Sequence, residues 1–193
     1  MNFPHTRHYQ RYEYIVQAGY IDDMVVADFG CGTVGCGSFL LTSKAKFVYA
    51  VDTNVNPKLF FGFNADAHPD RLFVVQDSLY HFGSFVDVVI AIEVFEHMAD
   101  VQKFINHVAS ICKYAFFTTP LAKNTGKTLN PQHVLEYSAE DFDKVLTTQF
   151  NIVDKVYQRA NMGICNDAKP HGSSYNPGHV VQMAWCRSKN GRK

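Results

Sequence analysis

The sequence predicts an α/β fold: a parallel sheet with helices on both faces, finished by an antiparallel pair of strands. Three observations lead there. Short apolar runs alternate with stretches of helical period over residues 24–118, the pattern of strands joined by crossover helices. Residues 85–92, Phe-Val-Asp-Val-Val-Ile-Ala-Ile, are almost continuously apolar, as expected of a strand buried on both faces. Residues 150–157 and 180–186 also read as strands, and their Gly/Pro/Asn-rich connection suits an antiparallel return rather than a crossover helix.

The elements follow in order. Residues 7–18 read as a helix that Gly19 and Asp22-Asp23 close before a strand at 24–29. A short helix from Ser38 precedes a strand at 47–51, and a helix after Pro57 precedes one at 72–76. Within 100–112, Val101, Phe104, Ile105, Val108 and Ile111 recur at helical spacing, and a strand at 114–118 follows. Ser138-Ala-Glu-Asp141 is a capping box that opens a helix running to about Gln149. With no repeat, low-complexity tract or linker, residues 1–193 read as one domain, 1–20 as an N-terminal cover helix and 21–193 as the core.

Composition narrows the function classes. Lysine plus arginine equals aspartate plus glutamate at 18 each, so no global field favours nucleic acid or a membrane surface. Arg187, Lys189, Arg192 and Lys193 read as a frayed basic tail. Five cysteines, an odd number without a C-x-x-C pair, imply a reducing compartment. Residues 1–5 lack the character of a signal peptide, and no apolar run approaches the roughly 20 residues of a membrane span. The expectation is a cytoplasmic protein.

The richest segment is the turn after the first strand. Asp28-Phe-Gly30-Cys-Gly32-Thr-Val-Gly35-Cys-Gly37 brings a strand ending in an acid onto four glycines. Glycine admits positive φ and lets a ligand approach the main chain. Gly30-x-Gly32-x-x-Gly35 fits the dinucleotide fingerprint, with Asp52 at about the ~20-residue offset of a ribose-binding acid. Asp28 points elsewhere, because a pyrophosphate gains nothing from a carboxylate so close. A cationic ligand does, and S-adenosylmethionine carries an ammonium and a sulfonium. The bland reading is a Gly-rich turn with Asp28 solvated.

Asp28-Phe-Gly-Cys-Gly32, Tyr49-Ala-Val-Asp52, Asp77, residues 87–97 and Thr118-Thr119-Pro120, in this order, resemble the class I S-adenosylmethionine-dependent methyltransferases over nearly the whole chain. The resemblance implies a Rossmann-like seven-stranded sheet with a C-terminal antiparallel hairpin and S-adenosyl-L-methionine as cofactor. It places Gly30 and Gly32 at the cofactor, Asp52 on the ribose hydroxyls, Asp77 on the adenine amino group with the Ser78 backbone at the ring, and Glu93 or Ile92 at the methionine moiety. His8-Tyr9-Gln10-Arg11-Tyr12 resembles the H-x-x-R-Y segment of small O-methyltransferase-like members, which implies Arg11 or Tyr12 as donor to the methionine carboxylate. The family loop has a glycine where this chain has Val34, which leaves the roles of Gly35 and Gly37 open.

Glu93-Val-Phe-Glu96-His97 sets two carboxylates and an imidazole at spacings that a helical turn gathers on one face, with His133 downstream. Such donors suit a divalent metal, magnesium or manganese among others. The segment resembles the metal-dependent RNA 2′-O-methyltransferases, and similar ones occur in ubiquinone-pathway and sugar O-methyltransferases. Its structural alternative has His133 paired to Glu136. His133 and His97 are also the candidate bases for a hydroxyl acceptor.

The reading is therefore O-methylation of a small or terminal hydroxyl acceptor, with the loops at 121–137 and 159–179, including His171 and His179, shaping its pocket. RNA 3′-terminal 2′-O-methylation is the nearest alternative. A noncatalytic S-adenosylmethionine-binding subunit and a nicotinamide oxidoreductase are the alternatives of other classes.

Overall fold

Four parallel strands carry the N-terminal half of the molecule in the computed structural model, which describes residues 6–32, 36–55, 68–126, 130–159, 163–166 and 180–190. Two compact units are present, Met1–Ile92 and Glu93–Lys193. In the first, α1 (Thr6–Gln17), β1 (Val25–Phe29), α2 (Cys36–Leu41), β2 (Phe47–Asp52), β3 (Leu72–Gln76) and β4 (Val86–Ile92) follow one another. The strands lie in the order β3-β2-β1-β4. Val26 pairs with Val48 on one side and Val88 on the other, and Val48 with Leu72, all in parallel.

Side-chain chemistry explains the centre of this sheet. Val26, Ala27, Phe29, Val48, Ala50, Val88, Val89 and Ile90 are fully buried, and each large apolar side chain so placed contributes roughly 1.5–3 kcal/mol. Asp87 interrupts the apolar run of β4 because its Oδ2 accepts the Val25 N–H at 3.1 Å, which satisfies the first amide of β1. The helix expected after Pro57 lies outside the described residues.

In the second unit, α3 (Val101–Ile111), β5 (Cys112–Pro120), α4 (Ala139–Leu146), β6 (Phe150–Arg159), β7 (Gly163–Cys165) and β8 (Val180–Ser188) follow a 3-10 turn at Phe95–His97. The strand order is β5-β8-β6-β7, and β8 runs antiparallel to both β5 and β6, as the late strands predicted. An aromatic cluster forms the core: Phe95 packs edge-to-face on Phe117, Tyr137 and Phe142 at 6.2, 4.9 and 5.0 Å, and Phe117 on Phe150 at 5.4 Å. Phe95 thereby fixes the turn that bears Glu96 and His97.

Strand count and element ends refine the expectation. The described residues form eight strands rather than seven, because Gly163–Cys165 adds a three-residue strand antiparallel to β6. A bulge between Ile152 and Asp154 turns Val153 outward, which explains an apolar side chain 60% exposed within a strand. Helix α4 stops at Leu146 rather than near Gln149, where Thr147 takes over as C-cap.

The N-cap half of the expected capping box is present, Ser138 Oγ accepting the Asp141 N–H at 3.2 Å; the Ser138 N–H goes to Thr125 Oγ1 at 2.9 Å instead of the Asp141 carboxylate, which accepts from that same hydroxyl at 2.6 Å. Ser138→Ala should cost about 1 kcal/mol and lower Tm by a few degrees in a thermal melt, about 2–4 °C for a chain of this size.

Candidate functional site

The acid at the end of β1 does not face solvent. Asp28 is fully buried; Tyr12 Oη donates to both carboxylate oxygens at 3.1 Å, and Ser38 Oγ donates to Oδ2 at 2.5 Å. Burial pushes its carboxyl up to about 7, against the lowering effect of these two hydroxyls and with a smaller push from Asp52. The expectation that Asp28 directly meets a cation is thus corrected in its geometry: the carboxylate is sealed between α1 and α2. Tyr12, expected as a donor to the methionine carboxylate, is spent on Asp28, and its hydroxyl is pushed well above the usual range by burial and by that carboxylate. Arg11 is itself almost fully buried on α1.

Gly37 acquires a definite role here. A Cβ added to it would lie 2.2 Å from the Tyr12 ring, so only glycine lets α1 come close enough for Tyr12 to reach Asp28. Residues 33–35, including Val34 and Gly35, lie outside the described residues.

The remaining donor-side candidates stand at the ends of β1, β2 and β3. Gly30 and Gly32 both take φ 72°, the left-handed region that favours glycine, and among the described residues, its chain neighbours aside, none comes within 4 Å of where a Gly32 Cβ would be. Asp52 Oδ2 accepts the Gly32 N–H at 2.9 Å and Oδ1 accepts the Asn54 N–H at 2.8 Å. Asp77 lies beside it, its N–H donating to the Asp52 carbonyl at 3.1 Å. Asp77 Oδ1 receives the Ser78 N–H at 2.6 Å and lies 2.8 Å from His81 Nδ1, and these bonds hold its carboxyl below the usual range. The Ser78 amide expected at an adenine ring therefore points back to Asp77. Each carboxylate keeps lone pairs to spare, since an ionised carboxylate offers about four acceptor positions. This set of acceptors, with a glycine turn in front, fits a nucleoside whose hydroxyls and exocyclic amine are donors.

The second unit gathers part of the other cluster. Glu96, His97 and His133 each offer one ligand atom, and these lie within 4.8 Å of one another. Glu93 stands apart from this group. The helical turn expected to align Glu93 with Glu96 and His97 starts only at Phe95, because Glu93 adopts φ 55°. Its N–H donates to Thr118 Oγ1 at 3.0 Å and its Oε1 lies 3.3 Å from the same hydroxyl. Glu96 is fully buried and accepts from Thr119 Oγ1 at 3.0 Å. Thr118-Thr119 thus hold the two glutamates, and two adjacent hydroxyls at a strand end were the sequence signal for it.

Both imidazoles have fixed tautomers. His97 Nδ1 lies 2.7 Å from the Gln132 carbonyl, which only accepts, so Nδ1 carries the proton and Nε2 the lone pair. His133 Nδ1 lies 2.7 Å from Glu136 Oε1, and its Nε2 lies 2.9 Å from Asn130 Nδ2. Asn130 Oδ1 accepts the Gln132 N–H, which sets that amide's orientation and makes His133 Nε2 the acceptor. The rings meet edge-to-face with centroids 5.0 Å apart. His133 paired to Glu136 is what its structural alternative anticipated. His171 and His179 lie outside the described residues.

Residues 9–179 match the methyltransferase domain family, and the chain belongs to it. It is a class I S-adenosylmethionine-dependent methyltransferase with the Rossmann-like α/β fold of that class. Its fold is similar to that of 1,6-didemethyltoxoflavin-N1-methyltransferase from Burkholderia thailandensis, with a TM-score of 0.71, 16% identity and coverage of 94% of this chain and 78% of that one. It is likewise similar to magnesium protoporphyrin IX methyltransferase from Synechocystis PCC 6803 with bound S-adenosylhomocysteine (TM-score 0.64, 18% identity, 93% and 83% covered). The N-methyltransferase NodS from Bradyrhizobium japonicum WM9 gives 0.66, 12%, 97% and 89%. No protein of curated function matches the sequence.

Asp28 makes stability depend on pH. Its carboxyl rises from 3.8 unfolded to about 7 folded, so between those values the folded state keeps a proton that the unfolded chain has released. Stability contributed by this group is therefore lost as pH rises from about 4 to about 7, by up to about 1.4 kcal/mol per pH unit. Urea unfolding of Asp28→Asn and the wild type at pH 5 and pH 8 should show the variant gaining relative stability at the higher pH.

Proposed function

We propose that residues 1–193 act as one domain that transfers a methyl group from S-adenosyl-L-methionine to the oxygen of a small or terminal hydroxyl acceptor, in the cytoplasm. The observation that carries the acceptor class is His97: with Nδ1–H committed to the Gln132 carbonyl, Nε2 is left as a base, the group a hydroxyl needs and an unprotonated amine does not. His133, held by Glu136, is the second candidate base once its Nε2 is released from the Asn130 amide. The family assignment supports the methyl donor and displaces the nicotinamide and noncatalytic readings. Toxoflavin and porphyrin methyltransferases among the fold relatives support a small acceptor. The described residues include no helix long and apolar enough to cross a membrane.

On the donor side, Gly30 and Gly32 leave the main chain bare for close approach, Asp52 accepts from the ribose hydroxyls, and Asp77 accepts from the adenine amine. Asp28 acts by position, holding the strand end and α2 against Tyr12, while Arg11 and Glu93 remain candidates for the methionine end. The bound cofactor supplies an electrophilic methyl carbon on a sulfonium. The protein's part is alignment, which converts an encounter into an effectively unimolecular step, and proton removal: His97 Nε2 takes the hydroxyl proton as the oxygen–carbon bond forms and the carbon–sulfur bond breaks.

A metal-assisted version of this reading rests on the convergence of Glu96, His97 and His133. Those three would hold a magnesium or manganese ion, with Glu93 completing the set predicted from sequence only after leaving Thr118. The ion would lower the acceptor hydroxyl's pKa and orient a vicinal diol such as an RNA 3′-terminal ribose. Manganese titration followed by thermal shift is its measure: a rise in Tm that His133→Ala removes supports it, and no shift up to millimolar metal discards it.

Calorimetry with S-adenosylhomocysteine tests the donor site. Asp52→Ala should abolish measurable binding, and unchanged affinity would overturn the assignment. For the acceptor, His97→Gln should lower kcat by about 10²–10⁴ with a phenol or sugar acceptor while leaving cofactor affinity intact. Turnover of amine acceptors alone would show that the oxygen specificity is wrong.

A further inference from the structure

Strand β3 is an edge without the usual protection. It pairs with β2 on one side, and among the described residues no strand lies on its other flank. Its five residues, Leu72-Phe73-Val74-Val75-Gln76, contain no charge and no proline, and its register against β2 is unbroken. Soluble proteins normally blunt such edges with lysine, proline or a bulge. Phe73 is 57% exposed and continues an aromatic stripe, with Tyr49 6.2 Å from it and Phe47 and Phe82 beyond at 5.0 and 5.3 Å from Tyr49. The connection from β3 to β4 has only a 3-10 turn, Leu79–His81, and no helix to cover that stripe.

We propose that β3 is the interface of a symmetric dimer, in which it pairs antiparallel with β3 of a second copy. The hydrogen-bond parity and the flanking charges select the register. The Asp77 N–H points to β2, where it meets the Asp52 carbonyl. Successive residues of a strand present their amides to alternate sides, so Phe73 and Val75 bond inward to β2 while Val74 and Gln76 present N–H and C=O outward; Leu72 presents only its C=O, because its N–H closes the 3-10 turn on the Pro69 carbonyl. An antiparallel pair engages all three residues when Val74 faces its own copy, exchanging two bonds, and Leu72 faces Gln76, whose N–H meets the Leu72 carbonyl in one bond on each side. The same register sets Arg71, at the start of the strand, opposite Asp77 of the second copy, twice by symmetry. It also sets Phe73 beside Val75 of the second copy, with the two Phe73 rings diagonal to each other on one face, within reach for aromatic contact. Equal numbers of acidic and basic residues leave no net repulsion between copies. Asp77 is shared with the donor site proposed above, so association is measured without cofactor, where the pairing alone is read.

Sedimentation velocity of the full chain from about 1 to about 100 μM should show a species near twice the 21.8 kDa chain mass. Phe73→Lys places a charge on the edge and should give monomer throughout; its exposure makes the substitution compatible with the fold, which far-UV circular dichroism checks. Arg71→Asp should weaken association by about tenfold through the two ion pairs, and adding Asp77→Arg should restore it by reversing both charges. Wild-type protein that stays at 21.8 kDa across that range, or a dimer that Phe73→Lys and Arg71→Asp both leave intact, overturns the proposal.

Discussion

Burial of one carboxylate organises the N-terminal unit. Asp28 is fully buried and therefore needs the partners that folding brings: the Tyr12 hydroxyl from α1 and the Ser38 hydroxyl from α2. An unpaired buried carboxylate would cost several kcal/mol, so α1, β1 and α2 are fixed to one another wherever Asp28 sits. Gly37 is the steric condition of that arrangement, since any side chain there would occupy the place of the Tyr12 ring. The glycine turn and Asp52 are held at the edge of this sealed polar core, the Gly32 N–H reaching the Asp52 carboxylate. A rigid, desolvated anchor behind a bare backbone turn is how a small α/β sheet can present main-chain atoms to a cofactor without collapsing onto itself.

The C-terminal unit solves a related problem with hydroxyls. Two glutamates stand three residues apart in a short turn, and adjacent threonines at the end of β5 receive one each. The aromatic cluster around Phe95 keeps that turn from rearranging, and backbone bonds from Val134 and Leu135 to the Glu96 carbonyl tie the His133 loop to it. Both histidines then have their Nδ1 committed, by a carbonyl and a carboxylate; His97 Nε2 is left as acceptor, and His133 Nε2 accepts from the Asn130 amide. That is the same device by which orienting partners fix ligand or base tautomers elsewhere.

Much of this was legible in the linear chain. Strand positions followed from short apolar runs bounded by turn residues, β3 to the residue. The Ser138 cap was visible because a hydroxyl three residues before its bonded amide is a local signal. The bulge at Val153 and the short strand β7 were not, since each depends on a neighbouring strand that sequence periodicity does not see.

The sequence by itself determined the fold class and the residue types of both sites: acids at the ends of β1, β2 and β3, glycines in the first turn, and the Glu-x-x-Glu-His segment with a later histidine. These are local facts, written in spacing and composition. Which carboxylates are exposed and which are sealed was decided only by tertiary structure, because it depends on residues distant in the chain. Asp28 became an internal anchor because Tyr12, sixteen residues earlier, can reach it past Gly37. Glu93 left the Glu96–His97 group because its backbone turned left-handed and Thr118, twenty-five residues later, supplied a hydroxyl. Local pattern chooses the chemistry available, and long-range hydrogen bonding in a dry interior chooses which of it is spent on holding the fold.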